Sequence, residues 1–435
     1  MSPDTYPKSS VDAIPDIARI LDNVNDCLTK CLEDLHSLDT RLHDALHDGD
    51  VLPDRIVLRE AAKAVDLLHQ IQVMLDPKTL VLADHFLGYV RSKCLLAAVQ
   101  QQVPDVLHQS GPITLEQLAE RTGSRSDRLA QVLRILCNEG IFRHDDDQDE
   151  GGGTYSNSAA SRLLCADHPS QWHNWVRLYG NQFYDMARGI PGAVQRAATR
   201  SAAQINYDTD DTMFTYFQHR GWVPELHRTF GSGALAQMPG LVADYPWDEV
   251  AGGGSNLVMD IGGGGGGFLA GLLRNYPTMR GGIFDLPHVI EHARPFFRPG
   301  GQYADVADRV SDQDLVGGDF FKSVPECEVY TIKWCLHDWK DSQVIEILKT
   351  IHRSIIPSSR SRLVVLESIL EDTHSSRLSQ YGDLNMMMTI GGQERTVKEW
   401  TTLAGIAGWR IERIWDLRRA WVKAMDFRPI SQDGA

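Results

Sequence analysis

The sequence predicts an α/β protein: a Rossmann-like, doubly wound C-terminal domain preceded by an all-helical region that closes in a winged helix. Three observations carry this. From about residue 256 short apolar runs alternate with helical segments, a glycine run follows the first of those strands, and two short extended segments close a set of helices between residues 80 and 164.

Taken in order, residues 14–35 repeat Ile17, Ile20, Leu21, Val24, Leu28, Leu32 and Leu35 at helical spacing. A second amphipathic stretch carries Leu58, Ala62, Val65, Leu68, Ile71 and Leu75. Neither bears a plausible reactive group, so both are expected to be packing helices at a subunit interface. Residues 80–99 form the most apolar long window, but Asp84, Arg91 and Lys93 interrupt it, which predicts one amphipathic helix and no membrane span. Thr114 and Gln117 predict a capping box. A second helix with Leu129, Val132, Leu133 and Ile135 follows, ending near Gly140, and Ile141-Phe142 with Tyr155-Ser156 predict a two-stranded wing around an acidic, glycine-rich tip. Residues 166–248 lack strand alternation and are rich in aromatics, as expected of helices joining two domains. Four parts result: a helical extension (1–75), a winged-helix module (76–165), a helical linker with pocket helices (166–250) and a cofactor-binding domain (251–435).

Charge narrows the partners. Forty-three basic against 58 acidic residues give a net charge of −15, the wrong sign for a phosphate backbone or an anionic lipid surface. A winged helix invites a DNA-binding reading, but its wing is acidic, and a dimerisation or lid module is the better expectation. The seven cysteines are scattered and odd in number, which predicts reduced thiols in a cytoplasmic protein. Cys27 and Cys31 share a helix face without a second Cys/His pair nearby, so they are expected to be small buried residues rather than metal ligands. The start, MSPDTYPKSS, has no apolar core of the kind a signal peptide needs.

The chemistry concentrates in two places. In the first, the strand Leu257-Val258-Met259 runs through Asp260-Ile261 into Gly262 to Gly267, and glycine lets a backbone turn sharply against a ligand. About 20 residues on, Phe284-Asp285-Leu286-Pro287 puts an acid at the end of the next strand, where ribose hydroxyls are received in such folds. Gly262, Gly264 and Gly267 also satisfy a dinucleotide fingerprint, which leaves a nicotinamide cofactor open. Asp260 suits a cationic amino group better than a pyrophosphate. In the second place, Lys333-Trp334-Cys335-Leu336-His337-Asp338-Trp339 follows the strand Val329 to Ile332, at the end of the sheet where open α/β folds bind ligands. His337 suits proton transfer near neutrality. Glu367, ending the strand after it, or Glu394 would orient the imidazole. Arg395 has a plain salt bridge to Glu394 as an alternative, and Thr396 with Glu399 predicts a helix start. Trp334, Met386, Met387 and Met388 with Trp222 and Phe183 are candidates for an aromatic-substrate pocket, or for core. No acidic cluster of metal-ligand spacing is apparent near His337, so no metal is expected.

These motifs, in this order, resemble the class I S-adenosylmethionine-dependent O-methyltransferases: the plant caffeic-acid and flavonoid type and, more closely, their fungal natural-product relatives. The resemblance covers residue 80 onward and rests on Asp260-Ile261-Gly262-Gly263-Gly264, Phe284-Asp285-Leu286-Pro287, Gly318-Asp319-Phe320-Phe321, Lys333-Trp334 with His337-Asp338-Trp339, Glu367-Ser368-Ile369-Leu370, and Gly391 to Thr396. It implies S-adenosyl-L-methionine as cofactor, its methionine part held by the glycine loop (Asp260, Gly262, Gly264), its ribose by Asp285 beside Leu286, and its adenine by Asp319 and Phe320, with Lys333 also in contact. It implies His337 as the base flanked by Glu367 and Glu394, a small phenolic or enolic substrate, and a homodimer built on the winged helix. Some fungal proteins of this type bind the cofactor yet catalyse dehydration or a pericyclic reaction, which is the rival expectation. The glycine run lacks the side chain the family usually carries between its third and last glycines, and the first 75 residues have no full plant counterpart.

Overall fold

The computed structural model describes residues 14–48, 51–145, 153–251 and 256–430. The N-terminal decapeptide and the acidic tip of the wing at 146–152 lie outside them. The chain divides between Ala62 and Lys63 into two compact units. The first holds α1 (Ile14–Ser37), α2 (Asp39–Leu46) and the start of α3 (Arg55–Leu75). The helical spacing is as expected, yet Ile17, Ile20, Leu21, Leu32 and Leu35 are exposed on α1. Cys27 and Cys31, expected to be buried, are exposed on it too.

In the second unit the predicted single helix at 80–99 is two, α4 (Lys78–Phe86) and α5 (Tyr89–Gln100). At Leu87-Gly88 the bonding tightens: Gly88 N–H donates to His85 O, three residues back. A short turn of that kind ends one helix and re-aims the next. After α6 (Val103–Ser110), α7 (Leu115–Thr122) and α8 (Ser126–Asn138) come the antiparallel strands β1 (Phe142–Asp145) and β2 (Thr154–Asn157). Thr114 forms the expected capping box with Gln117, and Leu118, Leu133 and Phe142 fill the module's core.

The linker is made of helices joined by turns, with no strand among its described residues. It includes α9 (Trp172–Leu178), which runs into a π-turn at Tyr179–Phe183, and the long α10 (Val223–Asp244). Phe183, Phe217 and Leu226 pack there with Met388, so Phe183 and Met388 are core residues, with Trp222 packed against them.

The seven-stranded sheet and its helices follow as β3 (Leu257–Ile261), α11 (Gly267–Asn275), β4 (Arg280–Asp285), α12 (Pro287–Ala293), β5 (Leu315–Gly317), β6 (Val329–Lys333), α13 (Asp341–Ser354), β7 (Arg362–Glu367), α14 (Arg377–Thr389), α15 (Val397–Ile406), β8 (Trp409–Asp416) and β9 (Lys423–Pro429). Its order is β5-β4-β3-β6-β7-β9-β8. The first five strands run parallel, and β9 lies antiparallel between β7 and β8. Strands covered on both faces need apolar residues at every position. Accordingly Val364 and Leu366 of β7 pack into one core, Leu363 and Val365 into the other. The chain winds from β3 outward through β4 to β5, then returns to β6 on the other side of β3. That reversal opens a crevice at the carboxyl ends of β3 and β6.

Candidate active site

Both predicted constellations reach this crevice. After β3 the glycines take the conformations only they adopt easily: Gly262, Gly264 and Gly266 have φ of +68°, +55° and +82°. At Gly263 an added Cβ would stand 2.7 Å from Asp260 Oδ2, so the loop lies directly on that carboxylate. Asp260 is buried and accepts a hydrogen bond from Thr331 Oγ1 at 2.7 Å. Burial raises its carboxyl to about 7, against the Thr331 hydrogen bond and the Lys333 charge. Burial in turn lowers Lys333 to about 8, although Asp260 and Glu367 favour its charge, and the ammonium lies 3.8 Å from the Trp334 ring centre. An acid and a cation are thus held, poorly solvated, beneath the loop.

Asp285 ends β4 with both carboxylate oxygens engaged by backbone: Oδ2 accepts from Gly264 N–H at 2.8 Å and Oδ1 from Leu286 N–H at 2.7 Å. Leu286 itself is half exposed. Asp319 accepts from Phe321 N–H and pairs with Lys322, which together hold its carboxyl below the usual range. Phe320 meets Phe321 and Trp339 edge-on, at 5.1 and 5.7 Å between ring centres. Trp339 belongs to this aromatic wall, a role the sequence reading did not give it.

At the end of β6 the chain turns sharply. Trp334 has φ +47°, a strained conformation for a bulky residue, worth about 1–3 kcal/mol, which persists only when its surroundings impose it. Here they do. Glu367 Oε1 accepts from Cys335 N–H at 2.9 Å and Leu336 N–H at 2.8 Å. From the other side Arg395, fully buried, donates to Leu336 O and Trp339 O and pairs with Asp341. Arg395 therefore straps the turn and does not form the alternative salt bridge to Glu394. Gln393 N–H donates to His337 O, and Gly392 lies so close that any Cβ would collide with that carbonyl.

His337 is 7% exposed at the centre of this turn. Its Nδ1 is 2.9 Å from Glu394 Oε1 and 3.5 Å from Glu367 Oε2, so both glutamates meet it, not one or the other. Asp338 Oδ1 stands 3.4 Å from Nε2, a third acid that the sequence reading left unassigned. Burial pushes the imidazole toward neutrality, but the Glu367 charge, the Glu394 hydrogen bond and Asp338 outweigh it and raise His337 to about 10. Burial also raises Asp338, to about 7, and raises Glu394. The donor atoms of His337, Glu367 and Glu394 lie within 4.8 Å of one another. The fold therefore assembles a cluster with metal-ligand spacing, contrary to the sequence expectation, because its members are 30 and 57 residues from His337 along the chain.

Of the pocket candidates, Trp334 lies at the turn, and Met386 and Met387 are half-buried on α14. That helix touches the His337 cluster: Glu394 N–H donates to Asp383 at 2.9 Å, and a Cβ on Gly382 would lie 3.5 Å from Glu394 Oε1.

Residues 206–410 match the O-methyltransferase domain family and residues 83–167 the O-methyltransferase dimerisation domain. The chain is 54% identical to the O-methyltransferase aclM of Aspergillus oryzae over 90% of each chain. It is 47% identical to the O-methyltransferase verK of Clonostachys rogersoniana, over 88% of this chain and 92% of that one. Among solved structures, CalO1, a methyltransferase of calicheamicin biosynthesis in its SAH-bound form, superposes with a TM-score of 0.68 at 26% identity, covering 82% of this chain and 99% of its own. The chain belongs to the O-methyltransferase family. It is an S-adenosylmethionine-dependent enzyme, and the dinucleotide alternative left by the glycine spacing falls away.

Proposed function

We propose that His337 is the general base for methylation of a phenolic or enolic hydroxyl on a small secondary metabolite. The observation that supports it is the imidazole at the β6 terminus, with Nδ1 2.9 Å from Glu394 Oε1. Nδ1–H donates to Glu394, which leaves Nε2, beside Asp338, to receive the substrate proton. A group raised to about 10 matches a phenol, whose own value is about 10, so proton transfer between them is nearly balanced. An aliphatic alcohol is a much weaker acid, so the same proton transfer from it runs uphill. The negative charge of Glu367 stabilises the imidazolium that forms, and its hydrogen bonds to the turn fix the ring's position.

Asp260, Gly262, Gly264, Asp285, Leu286, Asp319, Phe320 and Lys333 are the residues we assign to the cofactor. They fit it: the bare loop over a buried carboxylate suits a charged amino-acid end, and the Phe320–Trp339 wall suits a flat base. S-adenosylmethionine, when bound, supplies an electrophilic methyl group on a cationic sulfur. Trp334, Met386 and Met387 are assigned to the substrate pocket. We further propose a cytoplasmic homodimer with the domain division given above (1–75, 76–165, 166–250, 251–435). Among the described residues no helix is long and apolar enough to cross a membrane.

Incubation with methyl-labelled S-adenosylmethionine and a panel of phenols, enols and matched aliphatic alcohols tests the reading. Label is expected on phenols and enols alone. Equal labelling of the alcohols would refute the matched-base argument, and turnover without label would favour the dehydratase or pericyclase rival.

A further inference from the structure

The π-turn at Tyr179–Phe183 breaks the regular winding that α9 begins. Turns of that kind put one extra residue into the helical repeat and occur often at functional sites. Here the ring of Tyr179 stacks on Trp175 and on Phe183, at 5.5 and 4.6 Å between ring centres. Trp175 meets Trp421 edge-on at 4.7 Å, and Trp421 meets Trp334 at 6.2 Å. One aromatic wall therefore runs from the π-turn to the turn that carries His337.

This wall holds a polar pair. Asn385 Nδ2 donates to Tyr179 Oη at 3.5 Å. That is long for an N–H···O bond, which usually spans about 2.7–3.2 Å. Among the described residues it is the only hydrogen bond of the Tyr179 hydroxyl, whose own proton has no acceptor there. Burial raises the phenol, which keeps that proton on the oxygen. Asn385 stands on α14 one residue before Met386 and three after Gly382, where a Cβ would lie 3.5 Å from Glu394 Oε1. Residues three and four apart are neighbours on a helix surface. The pair therefore lies about one turn along α14 from the glutamate that holds His337. An O–H and an N–H set side by side in an apolar wall fit one oxygen atom that accepts from both.

We propose that Tyr179 and Asn385 bind a carbonyl oxygen of the substrate, so that the preferred substrate is an aromatic ketone or amide bearing the reacting hydroxyl. This rests on the phenol reading above and names its substrate class. The carbonyl replaces the long Asn385–Tyr179 bond and accepts from the Tyr179 O–H and the Asn385 N–H together. A phenol without that oxygen leaves both donors unmet in the wall and binds more weakly.

The test uses full-length protein and two matched pairs of probes, 3- and 4-hydroxyacetophenone against 3- and 4-ethylphenol. Affinities for the SAH-loaded protein are measured by calorimetric titration, and kcat and KM with methyl-labelled S-adenosylmethionine, in wild type, Tyr179→Phe and Asn385→Leu. Setting each ketone against its own ethyl partner, and then variant against wild type, cancels the effect of the carbonyl on phenol acidity. Wild type is expected to prefer the better ketone at least about tenfold, and each variant to lose at least about fivefold of that preference, in KM rather than in kcat. A wild type that labels these phenols without preferring the ketones overturns this inference alone. So do variants that keep the preference, and variants that weaken both members of a pair equally, which would make the two residues purely structural. A wild type that labels none of the four overturns the phenol reading and this inference with it.

Discussion

The turn around His337 and the helices at 65–89 differ in how far one chain satisfies its own groups. At the turn, the backbone N–H groups of Cys335 and Leu336, the carbonyls of Leu336, His337 and Trp339, and the imidazole all meet partners from β7 or the 392–395 segment. What lacks a hydrogen bond there is carboxylate oxygen: Glu367 Oε2, 3.5 Å from His337 Nδ1, and Glu394 Oε2 are buried without a hydrogen-bond partner. Along α3 and α4 the unmet groups are apolar. The contrast teaches that the two regions serve different recipients. The buried acids around the imidazole fit the proton-accepting role proposed for it, whereas the hydrocarbon along α3 and α4 meets no cover from this chain.

Variants on the turn should break the chemistry and leave assembly alone. The largest effect is expected for His337→Ala, a loss of about 10²–10⁴ in kcat with SAH affinity unchanged, the usual worth of a positioned base. Loss of SAH binding would instead make His337 part of the cofactor site. Glu367→Ala should follow. It removes the acceptor of two buried N–H groups, about 1–3 kcal/mol for each left unmet, so Tm and kcat fall together. A Glu367→Ala enzyme with normal Tm would show that the turn is held by other means. Smaller still, Gly392→Ala must displace the His337 carbonyl, and a shift of about 1 Å at the base can cost on the order of 10²-fold or less in rate. An unchanged kcat would mean that the turn tolerates movement.

How much of this was legible in the sequence depends on what kind of information each part uses. Parallel strands such as Leu363–Leu366 were legible, because burial on both faces writes an unbroken apolar run. β8 was not: Arg410, Glu412 and Arg413 break any apolar run, and the strand is defined by its pairing with β9 rather than by its own composition. The three-residue β5 is too short to show a period. The helix break at Gly88 was hidden because the apolar positions continue across it. In the site, His337 could be singled out by its place after β6, but only the fold decides that both Glu367 and Glu394 reach it. Asp338 was adjacent in sequence yet unreadable, since a tight turn rather than a helix or strand brings its carboxylate back to Nε2. The exposure of the α1 and α3 hydrophobics was equally hidden, because helical periodicity records an apolar face and not what lies against it.

On the proposal above, the imidazole among these acids is the group that takes the proton. The pH dependence of methyl transfer in wild type and Glu394→Gln tests it most directly. Glutamine keeps an oxygen to accept from Nδ1–H and removes the negative charge. Because an acid neighbour holds His337 up at about 10, removing one must lower it. The rate should climb with pH as the neutral imidazole forms, and in Glu394→Gln that climb should move to lower pH. A climb that stays in place in the variant would belong to ionisation of the substrate, and would contradict the assignment of His337 as the base.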